Sequence, residues 1–386
     1  MMLFRRFLIC SIIILSTLSL SAQKRNPPIM GWSSWNHFRV NINEQLIKEQ
    51  ADAMISSGLY DAGYRFVNID DGYFGGRDAD GKIFSNKIKF PSGMKSLAEY
   101  IHSKKLKAGI YTDAGQNTCG SIYDKDLNGI GVGIYGHVEE DCNLFLKEWK
   151  YDFLKVDWCG GEKMKLDEET QYVKVINTVK AIDSSIVFNV CRWKFPGEWA
   201  IKKADSWRIS GDIRPTFSSI LNIIDLNANL YQYATAGHYN DMDMLQVGRG
   251  MSYEEDKTHF SMWCMLNSPL LAGNDLRHMT KQTIEILTNK EIITLNQNTD
   301  LLQAQRIFSE NNVEVWMKTS TSGKKIALVL LNRNEVEKIF KLDGQKLGIN
   351  TKSKIRDLWL HQNLGKIGTE KTFKIPKHGI VVLKID

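Results

Sequence analysis

Lys155 and Asp157 are the two residues of this sequence whose types and spacing point most directly to chemistry. They stand two positions apart at the end of an apolar run within residues 151–161. If the run is a β-strand, the alternation of side chains places both on one face. Gly160 and Gly161 then end the strand, so Asp157 lies at its carboxyl end, where parallel α/β enzymes carry their catalytic groups. We therefore predict a charged pair in the wall of an active site.

Polar residues recur directly after the other predicted strands. They are Asp70 with Asp71, Asp113, Arg192 with Trp193, Asp212, and Asp241 with Asp243. One aspartate in such a position is usually a helix cap or a turn residue. Recurrence after nearly every strand favours a site instead, because a barrel needs no ring of acids for its stability.

Short apolar runs alternate with amphipathic segments from residue 29 to about residue 297, which predicts repeated βα units and a parallel sheet. The predicted strands are 29–32, 64–69, 106–112, 153–157, 186–190, 206–209, 235–240 and 269–272. The predicted helices include 44–57, 94–104, 138–150, 168–182 and 217–230. Eight strands with intervening helices predict a (β/α)8 TIM barrel over residues 23–298.

The last part of the chain has a different pattern, with short alternating runs separated by turn residues. The runs are 313–319, 325–331, 337–342, 354–358, 371–375 and 380–385. This pattern predicts a C-terminal antiparallel β-sandwich over residues 299–386. It contains no catalytic cluster. We expect it to cover one side of the barrel, with sugar binding as the alternative.

Residues 1–22 have the pattern of a signal peptide. Arg5 and Arg6 precede an apolar run over 7–20, and Ser21-Ala22 offers a cleavage site. No later stretch reaches the ~20 apolar residues that a transmembrane helix needs. We therefore expect a secreted or periplasmic protein with no membrane partner after cleavage.

The composition is that of an ordinary globular protein, with 43% hydrophobic and 24% charged residues and a formal net charge of +6. No arginine-rich run indicates a nucleic-acid partner. Gly131, Gly133 and Gly136 match the dinucleotide fingerprint, but the polar stretch before them is not the strand that the fingerprint requires. No zinc-ligand spacing occurs either. We expect no metal and no cofactor, and the sequence carries no signal for oligomeric state.

Five of the cysteines follow the predicted signal peptide, and an odd number cannot all pair within one chain. They are Cys119, Cys142, Cys159, Cys191 and Cys264. A disulfide between Cys119 and Cys159 is expected, because each follows a strand that ends at the same face of the barrel.

Asp157 and Asp212 together could perform retaining glycoside hydrolysis. That reaction needs an ionised carboxylate as nucleophile and a protonated carboxyl as acid, ~5–5.5 Å apart. Lys155 beside Asp157 is expected to lower the pKa of the nucleophile by charge proximity. Asp212 follows the sixth strand on a short loop that could bring it over the mouth of the barrel.

Six motifs, in order along the chain, resemble those of family 27 of the glycoside hydrolases, which includes α-galactosidases and α-N-acetylgalactosaminidases. They are MGWSSWN at 30–36, NIDDG at 68–72, GIYTD at 109–113, KVDWC at 155–159, WRISGD at 207–212 and NDMDML at 240–245. The resemblance implies a retaining α-galactosidase that releases terminal α-linked D-galactose from oligo- or polysaccharides by double displacement. An α-galactoside-bearing carbohydrate is the implied partner.

The resemblance also implies roles for individual residues. Asp157 is the implied nucleophile and Asp212 the implied acid/base, while Asp70 and Asp71 are implied to bind the O4 and O6 hydroxyls of galactose. The other implied positions are Lys155 and Arg208 near the hydroxyls O2 to O4, Trp35, Tyr111 and Met244 as apolar or aromatic lining, Asp243 as a pocket carboxylate, and Cys119 with Cys159 as a disulfide beside the nucleophile.

Arg192 is where the sequence departs from the family pattern. α-Galactosidases of the family often have glutamate at this position, directly after the cysteine that corresponds to Cys191. The N-acetylgalactosaminidases have a small residue there, close to the C2 group of the sugar. Arg192 argues against room for an N-acetyl group. It either donates to a substrate group at C2 or points elsewhere and pairs with a neighbouring acid.

Other functions fit parts of the pattern. Within the family the alternatives are β-L-arabinopyranosidase and α-N-acetylgalactosaminidase, and the intact Asp70-Asp71 pair favours galactose. A Schiff-base lyase would use Lys155 as its nucleophile, although neighbouring acids would keep that lysine protonated. A catalytically silent sugar-binding protein is a third hypothesis, against which both candidate carboxylates argue.

Overall fold

The computed structural model describes residues 26–386. The predicted signal peptide, residues 1–22, lies outside the described residues, as do residues 23–25 of the predicted barrel domain. Among the described residues, no helix is both long and apolar enough to cross a membrane.

Eight parallel strands form the first sheet, as predicted. They are β1 Met30–Ser33, β2 Phe66–Asn68, β3 Lys107–Asp113, β4 Phe153–Asp157, β5 Val187–Val190, β6 Ser206–Arg208, β7 Tyr239–Asp241 and β8 Leu270–Ala272. Their order in the sheet is β8-β1-β2-β3-β4-β5-β6-β7. Leu245, which follows β7, forms a parallel bridge with Ala272 of β8 and thereby joins the two ends of the sheet. The predicted (β/α)8 barrel is therefore confirmed.

Twelve α-helices surround or follow these strands in the described chain. They are α1 Trp35–Phe38, α2 Glu44–Ser56, α3 Leu59–Ala62, α4 Gly93–Ser103, α5 Cys119–Tyr123, α6 Val138–Asn143, α7 Cys159–Lys163, α8 Glu168–Ile182, α9 Phe217–Ala228, α10 Tyr253–Met265, α11 Lys281–Leu287 and α12 Lys290–Gln297. Short 3-10 turns lie at Leu127–Gly129, Glu198–Ala200 and Leu276–His278.

The long barrel helices begin at side chains that cap them. The Asn43 side chain accepts a hydrogen bond from the Leu46 amide at 2.8 Å at the start of α2, and Asp167 accepts one from the Thr170 amide at 2.9 Å at the start of α8. These bonds satisfy amides that would otherwise lack a partner in the first turn. The helix predicted over 138–150 is α6 followed by a π-helical turn, Leu144–Glu148.

The C-terminal part forms two antiparallel sheets. Its strands are β9 Gln305–Glu310, β10 Val313–Thr319, β11 Lys325–Asn332, β12 Lys338–Asp343, β13 Lys354–Asp357, β14 Gln362–Lys366, β15 Glu370–Ile375 and β16 Ile380–Ile385. One sheet has the order β9-β10-β11-β16-β13-β14 and the other pairs β12 with β15. The predicted sandwich is confirmed, with β9 and β14 added to the predicted runs.

The central strands of the six-stranded sheet are buried on both faces, which explains the continuous apolar runs of β11 and β16. Leu328 and Leu330 of β11 join a core cluster with Phe340 and Phe373 of the second sheet. The alternate residues of β11, such as Val329, belong to the cluster of the barrel core instead. Because side chains alternate along a strand, one sheet closes the sandwich and also covers the barrel.

Candidate active site

A cavity of about 430 Å³ opens at the carboxyl ends of the barrel strands. It is lined by Trp35, Arg39, Cys119, Tyr123, Lys155, Asp157, Cys159, Glu162, Cys191, Trp193, Arg208, Asp212, Asp243 and Met244. A smaller cavity of about 20 Å³ shares Lys155, Arg208, Asp243 and Met244 with it and is otherwise lined mostly by strand residues, so it forms the floor of the larger one. The size lies within the range of small-molecule sites.

Asp157 is the last residue of β4, and the strand directs it and Lys155 to the cavity, while Leu154 and Val156 pack in the core. Its Oδ2 lies 3.8 Å from Lys155 Nζ and 3.1 Å from Cys119 Sγ. The sulfur is part of a disulfide and has no proton to donate, so this contact is packing and not a hydrogen bond. Oδ1 accepts no hydrogen bond from the residues that the structure describes. Asp157 is thus a carboxylate with lone pairs left uncommitted.

Burial dominates the ionisation of Asp157. It raises the pKa of this carboxyl to about 6, against the opposing effect of the Lys155 cation. The expected lowering by Lys155 is present, but it is smaller than the effect of burial. Asp157 is still predominantly ionised at neutral pH, as a nucleophile requires.

Lys155 lies between two carboxylates. Its Nζ donates to Asp70 Oδ2 at 2.9 Å and lies 3.8 Å from Asp157 Oδ2. Burial lowers the pKa of Lys155, but Asp157 and Asp70 outweigh it and hold the pKa well above the usual value. A lysine that stays protonated is no nucleophile, which argues against the Schiff-base hypothesis.

Arg208 connects the acid/base candidate with a third carboxylate. Its Nη2 lies 2.8 Å from Asp243 Oδ2 and 3.1 Å from Asp212 Oδ1. Asp243 is buried, and its oxygens also accept hydrogen bonds from the Ile213 amide at 2.9 Å and the Met244 amide at 2.7 Å. Asp243 therefore anchors Arg208 and the loop that carries Asp212.

Asp212 differs from Asp157 in its exposure, because 59% of its side chain is accessible to solvent. Partial desolvation raises the pKa of Asp212, but the cations of Arg208 and Lys155 outweigh it and hold the pKa below its usual value of 3.8. When the pair carries one proton, which is below about pH 6, that proton therefore resides mainly on Asp157 as long as no sugar is bound.

Asp70 and Asp71 are separated by the fold, although they are adjacent in sequence. Asp70 faces the floor of the cavity, where it holds Lys155. Asp71 is fully buried, and its two oxygens accept hydrogen bonds from the Gly72 amide at 2.8 Å and the Gly120 amide at 2.6 Å. Its side chain is not among the residues that line either cavity.

Tyr111 also lies behind the cavity wall. Its hydroxyl accepts a hydrogen bond from the Cys119 amide at 3.2 Å, and its ring lies 5.4 Å from Lys155 Nζ. It positions these two lining residues but does not itself line either cavity. The structure thus brings the predicted residues Trp35, Lys155, Arg208, Asp243 and Met244 to the cavity and leaves Asp71 and Tyr111 in its supporting layer.

The predicted disulfide between Cys119 and Cys159 is present and joins the segments after β3 and β4. The two backbones approach closely there, since a Cβ on Gly115 would lie 2.1 Å from the carbonyl carbon of Gly160. Asp113 accepts hydrogen bonds from the amides of both glycines, at 2.7 Å and 2.9 Å. Asp113 and the two sulfurs lie close together, but disulfide sulfurs offer no thiolate to a metal.

Arg192 is turned away from the cavity. Its Nε forms an ion pair with Glu168 in the first turn of α8, and its neighbours Cys191 and Trp193 line the cavity instead. Of the two predicted alternatives, the structure shows the one in which Arg192 pairs with an acid. The group near C2 of a sugar would therefore meet other residues.

Comparisons with known proteins show which family the chain belongs to. The family model "Alpha galactosidase A" matches residues 27–298, and "Alpha galactosidase C-terminal beta sandwich domain" matches residues 310–385. The chain is 38% identical to alpha-galactosidase A of Cellvibrio japonicus, over 96% of each protein. It is 40% identical to alpha-galactosidase 2 of Arabidopsis thaliana, over 91% of this chain and 87% of that protein. The chain belongs to the α-galactosidase family.

Solved structures in this α-galactosidase family share the fold. Alpha-galactosidase I from Mortierella vinacea superposes with a TM-score of 0.85 at 31% identity, covering 93% of this chain and 96% of that one. The resemblance to family 27 of the glycoside hydrolases is thereby confirmed.

Sequence reasoning missed several lining residues of this family member. Arg39 binds both oxygens of Asp124, at 2.6 Å and 2.7 Å, and its guanidinium lies 4.5 Å from the centre of the Trp35 ring. Tyr123 and Glu162 line the opening as well. All three follow strand ends within loops or short helices, where no periodicity fixes the direction of a side chain. The sequence signal that could have identified them is their position shortly after β1, β3 and β4, whose carboxyl ends form the site.

Proposed function

We propose that this protein is a retaining α-galactosidase that releases terminal α-linked D-galactose from oligo- or polysaccharides, with Asp157 as nucleophile and Asp212 as acid/base. The observation that carries the residue assignment is the pair of unlike carboxylates on one cavity of about 430 Å³. Asp157 is buried with one oxygen free of hydrogen bonds, and Asp212 is largely exposed. Retaining hydrolysis requires two carboxyl groups at one site, one as nucleophile and one as acid/base.

The first step forms a bond between a carboxylate oxygen of Asp157 and the anomeric carbon of galactose while the bond to the leaving oxygen breaks. Asp212 gives its proton to that oxygen, so the aglycone departs as a neutral alcohol. In the second step water attacks the anomeric carbon, Asp212 takes a proton from it, and Asp157 leaves as a carboxylate. Two inversions retain the α configuration.

The acid must carry a proton when the glycosidic bond breaks. A sugar in the cavity excludes water from the exposed carboxyl of Asp212, and loss of hydration disfavours its charged form. The same sugar places its anomeric carbon against Asp157. Substrate binding therefore favours transfer of the shared proton to Asp212.

Charged groups on the floor suit the hydroxyls of galactose. Lys155 and Arg208 offer donors, while Asp70 and Asp243 offer acceptors, and all four line the floor. Buried hydroxyls need such partners to replace water, and a sugar that lacks a matching hydroxyl leaves them unpaired. Trp35 supplies an aromatic surface at the opening of the cavity.

The test uses Asp157→Ala and Asp212→Ala with an aryl α-galactoside. We expect each substitution to reduce kcat by about 10³-fold or more, because each removes a partner in covalent or acid catalysis. Azide should rescue Asp157→Ala and yield β-galactosyl azide. Asp61→Ala, which removes an exposed carboxylate from α3, serves as the control. Near-normal kcat in either active-site variant would refute the assignment.

A β-L-arabinopyranosidase is the second candidate, because of the position of Asp71. L-Arabinopyranose resembles galactose without its exocyclic carbon, which carries O6. Asp70 and Asp71 are the implied partners of O4 and O6, and the structure shows Asp71 engaged by two backbone amides. Release rates from aryl galactoside, arabinopyranoside and N-acetylgalactosaminide with one leaving group distinguish the candidates. We expect the galactoside to react fastest, and a faster arabinopyranoside would reverse the order.

We also propose that the protein is exported and cleaved near Ala22. The charged start, the apolar run and the small residues at 21–22 support this. A disulfide between Cys119 and Cys159 is typical of an oxidising compartment. Sequencing the N-terminus of the protein recovered from periplasm or medium tests it. An intact Met1 in the cytoplasmic fraction alone would contradict it.

A further inference from the structure

A second cavity, of about 280 Å³, lies at the same end of the barrel and shares no lining residue with the active-site cavity. We call it the Arg249 cavity. It is lined by His37, Gly248, Arg249, Asn274, Asp275, His278, Met279, Thr280 and Thr283. Helix α1 contributes to both cavities, with Trp35 on the active-site cavity and His37 on the Arg249 cavity.

Arg249 is a half-buried cation without a counterion. Its guanidinium donates to the Asn36 carbonyl at 2.6 Å and to the Gln246 side chain. It forms no ion pair with any residue in the described range 26–386. Burial lowers the pKa of Arg249, with no carboxylate opposing it. A guanidinium has five N–H donors, and these two hydrogen bonds leave three of them without a partner in the described residues.

The one carboxylate on the cavity wall is already neutralised. Asp275 accepts from Arg277 with both oxygens, at 2.9 Å and 2.6 Å, and from Gln50 at 2.7 Å. It therefore offers little charge to Arg249. Two histidines, His37 and His278, and the hydroxyl of Thr280 add further potential donors to the wall.

We propose that the Arg249 cavity binds an oxyanion, either a free anion such as phosphate or the carboxylate of an acidic sugar. A half-buried cation without a counterion has lost part of its hydration, and an anion that accepts hydrogen bonds from its planar N–H groups compensates the charge. Arginine suits this role because its planar donors match carboxylate and phosphate oxygens in pairs. The site is independent of the proposed hydrolytic activity, since no residue of the catalytic pair lines it.

Isothermal titration calorimetry at constant ionic strength tests the site, with chloride as the balancing anion. Inorganic phosphate and galacturonate are the two probes, and neutral galactose controls for binding in the active-site cavity. We expect saturable binding of at least one anion, weakened about tenfold or more in Arg249→Gln, because the substitution removes the charge-assisted hydrogen bonds to the anion. Preference for phosphate identifies a free anion, and preference for galacturonate identifies an acidic sugar.

Two further variants complete the test. Lys281→Gln removes an exposed cation from the start of α11, outside the cavity wall, and should bind the anion as the wild type does. His278→Gln keeps Arg249 and should weaken binding even if Arg249→Gln fails to fold. Equal binding by the wild type and by folded Arg249→Gln would overturn the proposal. So would an absence of binding of both anions to the wild type.

Discussion

In the proposed mechanism Asp157 and Asp212 share one proton in the active state, and the pH dependence of activity should report that pair. Burial raises the pKa of Asp157 to about 6, and Arg208 and Lys155 hold that of Asp212 below 3.8. Above about pH 6 the pair loses its proton and lacks an acid. At a pH below the lower pKa both carboxyls are protonated and no nucleophile remains. These values belong to the pair and not to either residue alone.

We therefore expect kcat/KM for an α-galactoside with a poor leaving group to be bell-shaped and to fall as pH rises through about 6. A dinitrophenyl galactoside needs no acid to depart, so its rate should lack this upper limb. Asp212→Ala should lack it as well. A rate that still rises between pH 6 and 8 with the poor leaving group would contradict the expectation.

Arg192 and Arg208 are both arginines at strand ends, but only Arg208 lines the cavity. Arg192→Ala should change kcat/KM by less than about threefold and cost about 1 kcal/mol of stability through loss of its ion pair with Glu168. Arg208→Ala should reduce kcat/KM by 10²-fold or more, since it leaves Asp243 buried and unpaired. Steady-state kinetics with an aryl α-galactoside and urea denaturation measure both effects. A large rise in KM for Arg192→Ala would place its side chain in the site.

The sequence could indicate which residues stand at strand ends but not which way each turns. Asp157 was predictable because strand alternation fixes its direction. Asp71 and Arg192 follow their strands on loops, and there local hydrogen bonds decide the direction. The Gly72 and Gly120 amides hold Asp71, and Glu168 holds Arg192. Gly120 and Glu168 belong to other elements, α5 and α8, so no pattern near Asp71 or Arg192 reveals these contacts.

The disulfide between Cys119 and Cys159 links two strand ends and closes a loop with a sequence separation of 40 residues. Loop-closure entropy for that length predicts a contribution of about 4 kcal/mol to stability. Cys119→Ala/Cys159→Ala should lower the free energy of unfolding by up to this amount. It should also lower kcat, since Cys119 Sγ packs 3.1 Å from Asp157 Oδ2.

Urea denaturation and kinetics under non-reducing conditions measure both effects. Cys142→Ala removes a buried free thiol elsewhere and should leave kcat unchanged. Wild type treated with a reductant should approach the double variant. Unchanged stability and kcat in the double variant would contradict a structural role for the bond.

Strands with a continuous apolar run and helices with an amphipathic pattern were predictable, and elements with neither pattern were not. Strand 153–157 and helix 168–182 have the predicted bounds. Helix α10 lies between the barrel and the sandwich and is buried around most of its circumference, so it lacks the amphipathic periodicity on which detection depends. Strand β14 was missed for a different reason: it is almost entirely exposed, so it has no apolar residues at alternating positions.

The two domains are joined through a buried lysine. Lys318 of β10 is inaccessible to solvent, and its ammonium donates to the Met265 carbonyl at 2.8 Å and to the Asn267 side chain at the end of α10. A cation at the carboxyl end of a helix is favourable for the helix dipole. Burial nevertheless lowers the pKa of Lys318 to about 7.

This depressed pKa predicts how stability depends on pH. Between about pH 7 and the ordinary lysine pKa of 10.5, the unfolded chain binds more protons than the folded one, so stability from this residue increases with pH. The free energy of unfolding of the wild type minus that of Lys318→Met should therefore rise with pH across this interval. The extra stability of the wild type should be lost as pH falls to about 7. Lys324→Met, at an exposed lysine of the same domain, should show no such trend. A flat difference would mean that Lys318 stays protonated.

The position of β1 in the sheet has a consequence for synthesis of the chain. Met30 pairs with Leu270, so the first strand of the barrel meets one of its two neighbours only after 270 − 30 = 240 further residues have been made. Until then the nascent chain presents an unpaired strand edge beside a growing apolar sheet. Such edges associate readily with those of other chains. Successful production of the protein should therefore depend on chaperones that shield this edge until the last barrel strand emerges.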